Sequence, residues 1–243
     1  MVHITKKDLD KDNYYKDSGI NTTEEITCDE NLGYIKFKKS VITTKSIILG
    51  LDCGIKAGDG IESGYGIKAG DGIEAGWGIE AGYGIKAGDG IKAGWGIEAG
   101  SGIKAGWGIE AGSGIKAGYG IKAGDGIKAG WGIEAGDGIE AGFGIKAGYG
   151  IKAGCGIKAG LSIVCKRILK FSYQLFSGTC TWRETKEEDL IISCGKLETD
   201  GKIILGNLIE TGIPEEVEKI KIINGLKYRL VEDDNNVLDE VKG

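Results

Sequence analysis

Apolar residues recur at a strict six-residue interval through the middle of the chain. From position 54 to position 161 one phrase, Gly-Ile-(Lys/Glu)-(Ala/Ser)-Gly-x, is repeated eighteen times without insertion or deletion. Successive side chains of an extended strand point to opposite faces, so Ile and Ala share a dry face and the charged residue between them faces water. A helix would spread Ile at this interval around its circumference. The pattern therefore predicts one short strand per phrase.

The two glycines that bracket x predict a corner between consecutive strands. Glycine adopts positive φ without strain, and we expect every corner to use that freedom. Short strands joined by corners and stacked coil upon coil form a β-solenoid, in which each coil contacts mainly its neighbours. The fold class expected is all-β, a single-stranded β-solenoid.

The variable residue x indicates how many phrases make one coil. In three consecutive phrases over 65–77, x is Tyr, then Asp, then Trp. The same ordered triplet returns 18 residues later, over 83–95, and 36 residues after that, over 119–131. A coil of three phrases would stack Tyr on Tyr and Trp on Trp along separate edges. We therefore expect a triangular prism with about 18 residues per coil and leave its handedness open.

The six-residue phase also suggests domain boundaries. It begins near position 33 and resumes late in the chain, where Ile191, Leu197, Ile203 and Ile209 mark the inward face. The predicted regions are a polar N-terminal segment at 1–32, a solenoid at 33–164, an excursion at 165–190, the last coils at 191–212, a capping β-hairpin at 213–231 and an acidic tail at 232–243.

Two segments outside the perfect repeats are expected to form hairpins. In the excursion, alternating apolar residues and the pair Ser177-Gly178 favour a hairpin that either covers one flank of the solenoid or forms a partner-binding finger. The contact residues of such a finger would be Phe171, Tyr173, Phe176 and Trp182. Near the C-terminus, a three-residue loop at 223–225 predicts a second hairpin that caps the last coil and prevents end-to-end association.

Charge and composition exclude several classes of protein. The net charge is −5 and no basic stripe exists, so we expect no nucleic-acid partner. The N-terminal residues have no apolar core typical of a signal peptide, and no run of about 18 apolar residues occurs, so we expect a cytoplasmic protein that does not enter a membrane. The six cysteines lack the spacing of a zinc site and are expected to be reduced structural thiols.

The repeat offers little catalytic chemistry. His3 is the only histidine and lies in a terminus expected to be mobile, so the solenoid supplies no general base. We therefore expect a non-enzyme without cofactors or catalytic residues. Stacked aspartates at the corners would either repel in water, which is the default, or share a cation. The weak candidate metal ligands are Asp71, Asp89 and Asp125.

The aromatic residues at x are the strongest functional signal. One slot accepts Trp, Asp and Ser alike, which a close-packed interior does not tolerate, so the slot must be at least half exposed. Clustered exposed aromatic side chains on a rigid scaffold predict a contact surface. The alternative is that each ring lies flat over nearby glycines and covers backbone. The candidate binding residues are Tyr65, Trp77, Tyr83, Trp95, Trp107, Tyr119, Trp131, Phe143 and Tyr149.

Over about 33–212 the repeat resembles the hexapeptide-repeat β-helix families and the bactofilin-type cytoskeletal β-solenoids. The transferase pattern has an aliphatic residue first and a small residue fifth, whereas here the small Ala is third and the fifth slot holds Asp, Ser or an aromatic residue. The first resemblance implies a transferase with a catalytic histidine, and the second implies self-assembly into a homo-oligomer.

The sequence itself favours a different function from either resemblance. We expect a non-enzymatic scaffold that presents aromatic edges to a protein partner, with an inhibitor carried by a phage or mobile element as one subtype. A self-assembling structural solenoid is the alternative, and a transferase is the more distant one.

Overall fold

The computed structural model describes residues 1–213, 220–223, 226–230 and 238–240, in two compact units, Met1–Ile213 and Pro214–Gly243. The first unit is built almost entirely of short strands. No helix in the described part of the chain is long and apolar enough to cross a membrane.

Six strands precede the perfect repeats, and a one-turn 3₁₀ helix at Lys6–Asp8 follows the first of them. They are β1 (Val2–Ile4), β2 (Ile20–Thr22), β3 (Ile26–Cys28), β4 (Gly33–Phe37), β5 (Val41–Thr43) and β6 (Ile47–Ile48).

Each repeat contributes one strand, centred on its Ile-(Lys/Glu)-Ala. The eighteen strands are β7 (Cys53–Ala57), β8 (Ile61–Ser63), β9 (Ile67–Ala69), β10 (Ile73–Ala75), β11 (Ile79–Ala81), β12 (Ile85–Ala87), β13 (Ile91–Ala93), β14 (Ile97–Ala99), β15 (Ile103–Ala105), β16 (Ile109–Ala111), β17 (Ile115–Ala117), β18 (Ile121–Ala123), β19 (Ile127–Ala129), β20 (Ile133–Ala135), β21 (Ile139–Ala141), β22 (Ile145–Ala147), β23 (Ile151–Ala153) and β24 (Ile157–Ala159).

Seven further strands complete the first unit, with a second 3₁₀ helix at Glu187–Leu190. They are β25 (Ile163–Cys165), β26 (Ile168–Phe171), β27 (Gln174–Phe176), β28 (Ile191–Cys194), β29 (Lys196–Thr199), β30 (Lys202–Leu205) and β31 (Asn207–Glu210).

These strands form three parallel sheets, one on each side of a triangular prism. Sheet 1 runs β1-β3-β6 and then takes every third strand to β30, sheet 2 takes every third strand from β4 to β31, and sheet 3 runs β2-β5 and then every third strand to β29. In the repeats, equivalent residues of every third phrase pair directly, as Ile73 does with Ile91. The predicted triangular solenoid with three phrases per coil is confirmed.

The interior is a column of isoleucines lined by alanines. The Ile of every repeat is at most 1% exposed, and the Ala or Ser two residues later is also buried. Each buried Ile contributes about 1.5–3 kcal/mol. The stack therefore offsets the conformational entropy lost by a glycine-rich chain, and it places the charged residues and x outside.

The corner glycines are required for a reason other than the one expected. None of the repeat glycines has a φ in the left-handed region, so the prediction of positive φ at every corner is wrong. The first glycine after Ala lies instead against the previous coil. A Cβ atom on Gly88 would be 1.8 Å from the carbonyl oxygen of Gly70, and one on Gly106 would be 1.7 Å from that of Gly88. Close coil stacking excludes a side chain there.

The solenoid begins earlier than the sequence indicated. The segment 1–32 was expected to be polar and outside the fold, but it contributes β1, β2 and β3 to the sheets, with Ile4, Ile20 and Ile26 buried. Ile26 pairs with Ile47. These two residues are farther apart in the sequence than paired residues of the repeats, because the corners between the first strands are longer. The longer corners conceal the six-residue phase.

The expected excursion is shorter than predicted and is not a hairpin over its whole length. Strands β26 and β27 remain parallel members of sheets 3 and 1, so only residues 177–190 leave the ladders. This loop also shifts the phase that follows. Ile192, rather than Ile191, is buried and pairs with Ile163, and Leu208, rather than Ile209, pairs with Ile192.

The second unit contains a three-stranded antiparallel sheet, β32 (Ile220–Ile223), β33 (Leu226–Leu230) and β34 (Leu238–Glu240). The expected hairpin is present, but Ile223 pairs with Leu226, whereas the three-residue loop would have paired Ile222 with Leu226. Strand β34 lies within the expected acidic tail. The capping role assigned to this hairpin stays a prediction.

Candidate binding surface

The variable residues form three straight columns along the edges of the prism. The Trp edge lies between sheets 2 and 3, the Tyr edge between sheets 3 and 1, and the Asp edge between sheets 1 and 2. The Trp edge consists of Asp59, Trp77, Trp95, Ser113, Trp131 and Tyr149. The Tyr edge consists of Tyr65, Tyr83, Ser101, Tyr119, Asp137, Cys155 and Tyr173. The Asp edge consists of Asp71, Asp89, Trp107, Asp125, Phe143 and Leu161.

The Trp edge holds two stacked aromatic pairs. The ring centroids of Trp77 and Trp95 are 6.0 Å apart with an interplanar angle of 10°, and those of Trp131 and Tyr149 are 5.5 Å apart. Arg167 continues the column, with its guanidinium carbon 4.6 Å from the centroid of Tyr149. Trp77 remains 61% exposed despite its stacking. Each ring therefore orders its neighbour and leaves a face open to a ligand.

The Tyr edge has the same construction. Tyr65 and Tyr83 are stacked at 5.5 Å and 3°, and the amino group of Lys45 lies 5.6 Å from the centroid of Tyr65. Tyr119 and Tyr173 are also exposed on this edge. Tyr173 was expected on a separate finger, but the structure aligns it with the other tyrosines.

Both aromatic edges border sheet 3, which makes this face different from the other two. A groove with a volume of about 1140 Å³ runs along sheet 3. Trp77 and Tyr149 lie on one wall, and the outward-facing charged residues of the strands, including Glu80 and Glu98, lie on the other. Its floor is the glycine that opens each repeat, immediately before the Ile, such as Gly96. The groove is long and has aromatic rings along one wall only.

Among the described residues, no ring from another coil lies over these floor glycines. Apart from its own chain neighbours, only a carbonyl oxygen at 3.4–3.5 Å lies within 4 Å of the place that a Cβ atom on Gly78, Gly96 or Gly114 would take. The rings therefore do not lie over glycines of adjacent coils on this face, and the alternative in which each ring covers the glycines beside it in the chain stays a prediction.

On sheet 2, an aromatic side chain lies over the equivalent floor glycines. Tyr34 takes the place of the floor glycine in the coil before the repeats, pairing with Gly54. Its ring and hydroxyl group lie so close to Gly54 and Gly72 that a Cβ atom on Gly72 would be 2.2 Å from the phenol oxygen. Burial, reinforced by Glu74 and Asp89, raises the pKa of Tyr34. The only sign of this role in the sequence is a Tyr in a slot that is otherwise Gly.

The Asp edge is less suited to binding. Trp107 is 62% exposed and stands between Asp89 and Asp125 without a stacked ring among the described residues. Burial and the nearby charges of Asp89 and Asp52 raise the pKa of Asp71. Asp125 is separated from this pair by Trp107. No group of three potential metal ligands occurs among the residues that the structure describes.

The loop at 177–190 lies against the Asp edge. The ring of Trp182 packs on Phe143 with centroids 4.8 Å apart, and the buried Ser177 Oγ lies 3.0 Å from the carbonyl oxygens of Leu161 and Asp189. Both guanidinium amino groups of Arg183 are 2.8 Å from the Asp189 carboxylate. These contacts favour the flank-covering interpretation of the loop.

Two candidate finger residues are not placed for binding. Phe171 is 1% exposed in the core of sheet 3, and its nomination as a contact residue is wrong. Phe176 is half-buried in β27 on sheet 1.

All six cysteines and the histidine lie within the described residues. The thiols are free, and burial raises the pKa of Cys28 and Cys165 to about 12. Cys155 is exposed on the Tyr edge. His3 lies in the first coil, where Nδ1 is 2.8 Å from Thr27 Oγ1 and Nε2 is 2.9 Å from Asp29 Oδ1. These contacts hold the imidazole between β1 and β3, in a terminus that was expected to be mobile.

Comparison with known proteins adds no relative. No protein-family model matches the chain, and no curated protein or solved structure is significantly similar to it. The surface must therefore be interpreted from its own geometry.

Proposed function

We propose that this chain is a non-enzymatic binding scaffold, whose rigid solenoid presents sheet 3 and its two aromatic edges to a protein partner. The observation that carries this proposal is the placement of the aromatic residues. Seven repeat aromatics border one face: Tyr65, Trp77, Tyr83, Trp95, Tyr119, Trp131 and Tyr149.

The arrangement has the physical properties of a protein-binding surface. Tyr and Trp dominate the binding energy of many interfaces because they bury large areas with few rotatable bonds. Stacking of Trp77 on Trp95 fixes the ring orientation before a partner arrives, and pre-organisation lowers the entropy lost on binding. A flat, elongated face is also better matched to a protein than to a small molecule, which is usually held in a concave pocket.

The charge between the two edges argues against a nucleic-acid ligand. The first three outward positions of sheet 3 in the repeats are Glu62, Glu80 and Glu98. Single-stranded nucleic acids also bind to stacked aromatic residues, but the proteins that hold them provide a positive groove for the phosphates. A row of carboxylates would repel that backbone, so a protein surface with basic and apolar residues fits better.

Affinity capture from a lysate of the native host tests this proposal. The Trp77→Ser/Trp95→Ser variant should lose a partner that wild type retains, by at least about tenfold in recovered amount, since two hot-spot rings exceed about 1.4 kcal/mol. Trp107→Ser is the matched control, because that residue is equally exposed on the Asp edge and should have no effect. Equal capture by all three proteins would contradict the proposal.

The two family resemblances receive unequal support. Nothing in the described residues adds to the transferase alternative, since His3 is engaged by Thr27 and Asp29 in the first coil. Self-assembly remains the second candidate function, because the N-terminal halves of sheets 1 and 3 expose runs of opposite sign, four lysines at positions 68 to 122 on sheet 1 and three glutamates at positions 62 to 98 on sheet 3.

A further inference from the structure

The outward charges of sheets 1 and 3 begin with runs of like sign, four lysines on sheet 1 and three glutamates on sheet 3. Along sheet 1 the outward residues of the repeats are, in order, Lys68, Lys86, Lys104, Lys122, Glu140 and Lys158. Along sheet 3 they are Glu62, Glu80, Glu98, Lys116, Glu134 and Lys152. Neighbours within a row are one coil apart, about 4.8 Å. Like charges that face each other across adjacent strands are destabilising, so the lysines of the first run repel one another within one molecule, as do the glutamates of the second.

Several of these charges have no partner within the described part of the chain. Ion pairs join Lys116 to Glu98 at 3.0 Å, Lys122 to Glu140 at 2.8 Å and Lys152 to Glu134 at 2.6 Å. Sheet 2, by contrast, alternates in sign at its start, where Lys56 pairs with Glu74 at 2.9 Å. Five residues at the N-terminal end of the rows form no ion pair with described residues: Glu62, Glu80, Lys68, Lys86 and Lys104.

We propose that a second copy of this chain docks its sheet 3 on sheet 1 of the first copy, with parallel solenoid axes and a displacement of one coil. This arrangement places each outward residue of sheet 3 opposite the sheet 1 residue four phrases later in the sequence. The five facing pairs are then all of opposite sign: Glu62 with Lys86, Glu80 with Lys104, Glu98 with Lys122, Lys116 with Glu140 and Glu134 with Lys158.

The displacement follows from the signs. Without it, only the first three coils would attract, Lys116 would face Lys122, and Glu134 would face Glu140. The first two pairs of the displaced arrangement join four residues that are unpaired in the described part of the single chain. A polyanion would neutralise only the lysine row and a polycation only the glutamate row, whereas a second copy neutralises both with the same repeat distance.

The two faces are sterically suited to each other. Between their edges, both expose only glycine backbone and one charged side chain per coil, because Ile and Ala point inward. Sheets that pack face to face lie about 10 Å apart, which leaves room for Lys and Glu side chains to meet. Five coils with a height of about 24 Å and a width of about 15 Å bury roughly 360 Å² per copy.

An interface of this size is weak and is held mainly by exposed charges, so association should be reversible and sensitive to salt. Because sheet 1 meets sheet 3, the docked pair still offers one free sheet 1 face, on one copy, and one free sheet 3 face, on the other. Such heterologous contacts extend into open chains unless the rotation closes a ring. The inference goes beyond the proposed function, since it rests on the charges of sheets 1 and 3 and not on the aromatic edges. Both involve sheet 3, so a partner protein and a second copy would compete for that face.

Sedimentation velocity of the full chain tests the proposal. At about 20 mM salt the average sedimentation coefficient should rise as the protein concentration increases from about 10 μM to about 1 mM, and at about 500 mM salt, where the Debye length is only a few ångströms, it should return to the monomer value. A monomer at every concentration, or association that is unaffected by salt, would overturn the proposal.

A charge-swap experiment makes the test specific. The Glu62→Lys/Glu80→Lys variant and the Lys86→Glu/Lys104→Glu variant should each remain monomeric alone, because both then place like charges across the interface. An equimolar mixture should associate again, since each variant restores the complement of the other. Circular dichroism checks that both are folded, and Lys92→Glu/Lys146→Glu, which reverses two charges on sheet 2, is the control that should associate as wild type does.

The outcomes also separate this inference from the proposed function. Trp77→Ser/Trp95→Ser should lose the partner and keep salt-sensitive self-association. Association by either charge variant alone, or an inert mixture of two folded variants, would remove the face-to-face arrangement and leave the partner-binding proposal standing.

Discussion

The indole rings of Trp77 and Trp95, which occupy the same edge in successive coils, are stacked with their centroids 6.0 Å apart and their planes 10° apart. Two indoles at this distance couple their electronic transitions, and an in-plane rotation between the two rings turns this coupling into an exciton couplet in the circular dichroism spectrum. Trp95→Ser should remove most of that signal and should cost about 0.5–1.5 kcal/mol of stability, the value of an aromatic pair.

Trp107 provides the control for this prediction. It is flanked on its edge by Asp89 and Asp125, so Trp107→Ser should leave the couplet intact. A couplet of equal size in both variants would show that Trp77 and Trp95 are not stacked in solution.

The two glycines of each repeat should respond differently to alanine. In Gly88→Ala the added Cβ would lie 1.8 Å from the Gly70 carbonyl oxygen, and backbone cannot move aside without separating the coils. We expect a loss of about 3 kcal/mol or more, as for severe overpacking. Gly96→Ala places its Cβ 3.4 Å from the nearest carbonyl oxygen and should change stability by between zero and a gain of about 1 kcal/mol.

Urea denaturation of the two alanine variants checks this difference. The midpoint is the quantity to compare, because unfolding of a repeat protein need not be two-state. Similar midpoints for Gly88→Ala and Gly96→Ala would contradict the close approach of successive coils.

The free thiols should differ widely in reactivity. Cys155 is exposed on the Tyr edge, whereas the other five cysteines are buried, and burial raises the pKa of Cys194 to about 11. Thiolates are the reactive species, so a thiol-specific reagent at neutral pH should modify one cysteine quickly in the native protein and six in denaturant. Cys155→Ser should abolish the fast phase, and a second fast-reacting thiol in wild type would count against the described burial.

Acid should release the loop at 177–190. A hydrogen bond from Arg183, together with one from the Lys186 backbone N–H, lowers the pKa of Asp189 below its usual value of about 3.9. A lowered pKa in the folded state contributes stability that is present above a pH of about 3.9 and is lost as the pH falls through the folded value. The backbone amide resonance of Lys186 should therefore titrate with a midpoint below the usual aspartate value.

Asp189→Asn is the control for the acid prediction, because an amide cannot titrate in this range and the Lys186 resonance should then stay constant. A midpoint at or above the usual aspartate value in wild type would show that the contact between Arg183 and Asp189 does not persist in solution.

The core of the fold could be predicted because one physical rule operates at every repeat. Ile at strict six-residue spacing permits only a strand, and the recurrence of Tyr, Asp and Trp at x indicated a coil of three strands. The Trp and Tyr edges follow from the same periodicity, and the stacks of Tyr65 on Tyr83 and Trp77 on Trp95 connect residues in successive coils.

The rest could not be predicted where corners change length. A longer or shorter corner leaves the inward-facing side of each strand unchanged but breaks the six-residue period in the sequence. For this reason the strand containing Ile26 was not predicted, and Ile191 was predicted to face inward where the structure buries Ile192. The need for glycine at Gly88 arises from contact with another coil, which no local pattern reveals. The pairing of Trp182 with Phe143 is likewise a long-range contact.

The three-strand coil has a consequence for how the length of this protein can vary. A gene that encodes tandem hexapeptides can gain or lose whole repeats by slippage during DNA replication. A change of three repeats lengthens or shortens the rod by one layer and leaves every later ring in its column. A change of one repeat preserves the hydrophobic interior but moves every downstream Trp to a different edge. If the aromatic edges are functional, selection should therefore tolerate only changes in multiples of three repeats.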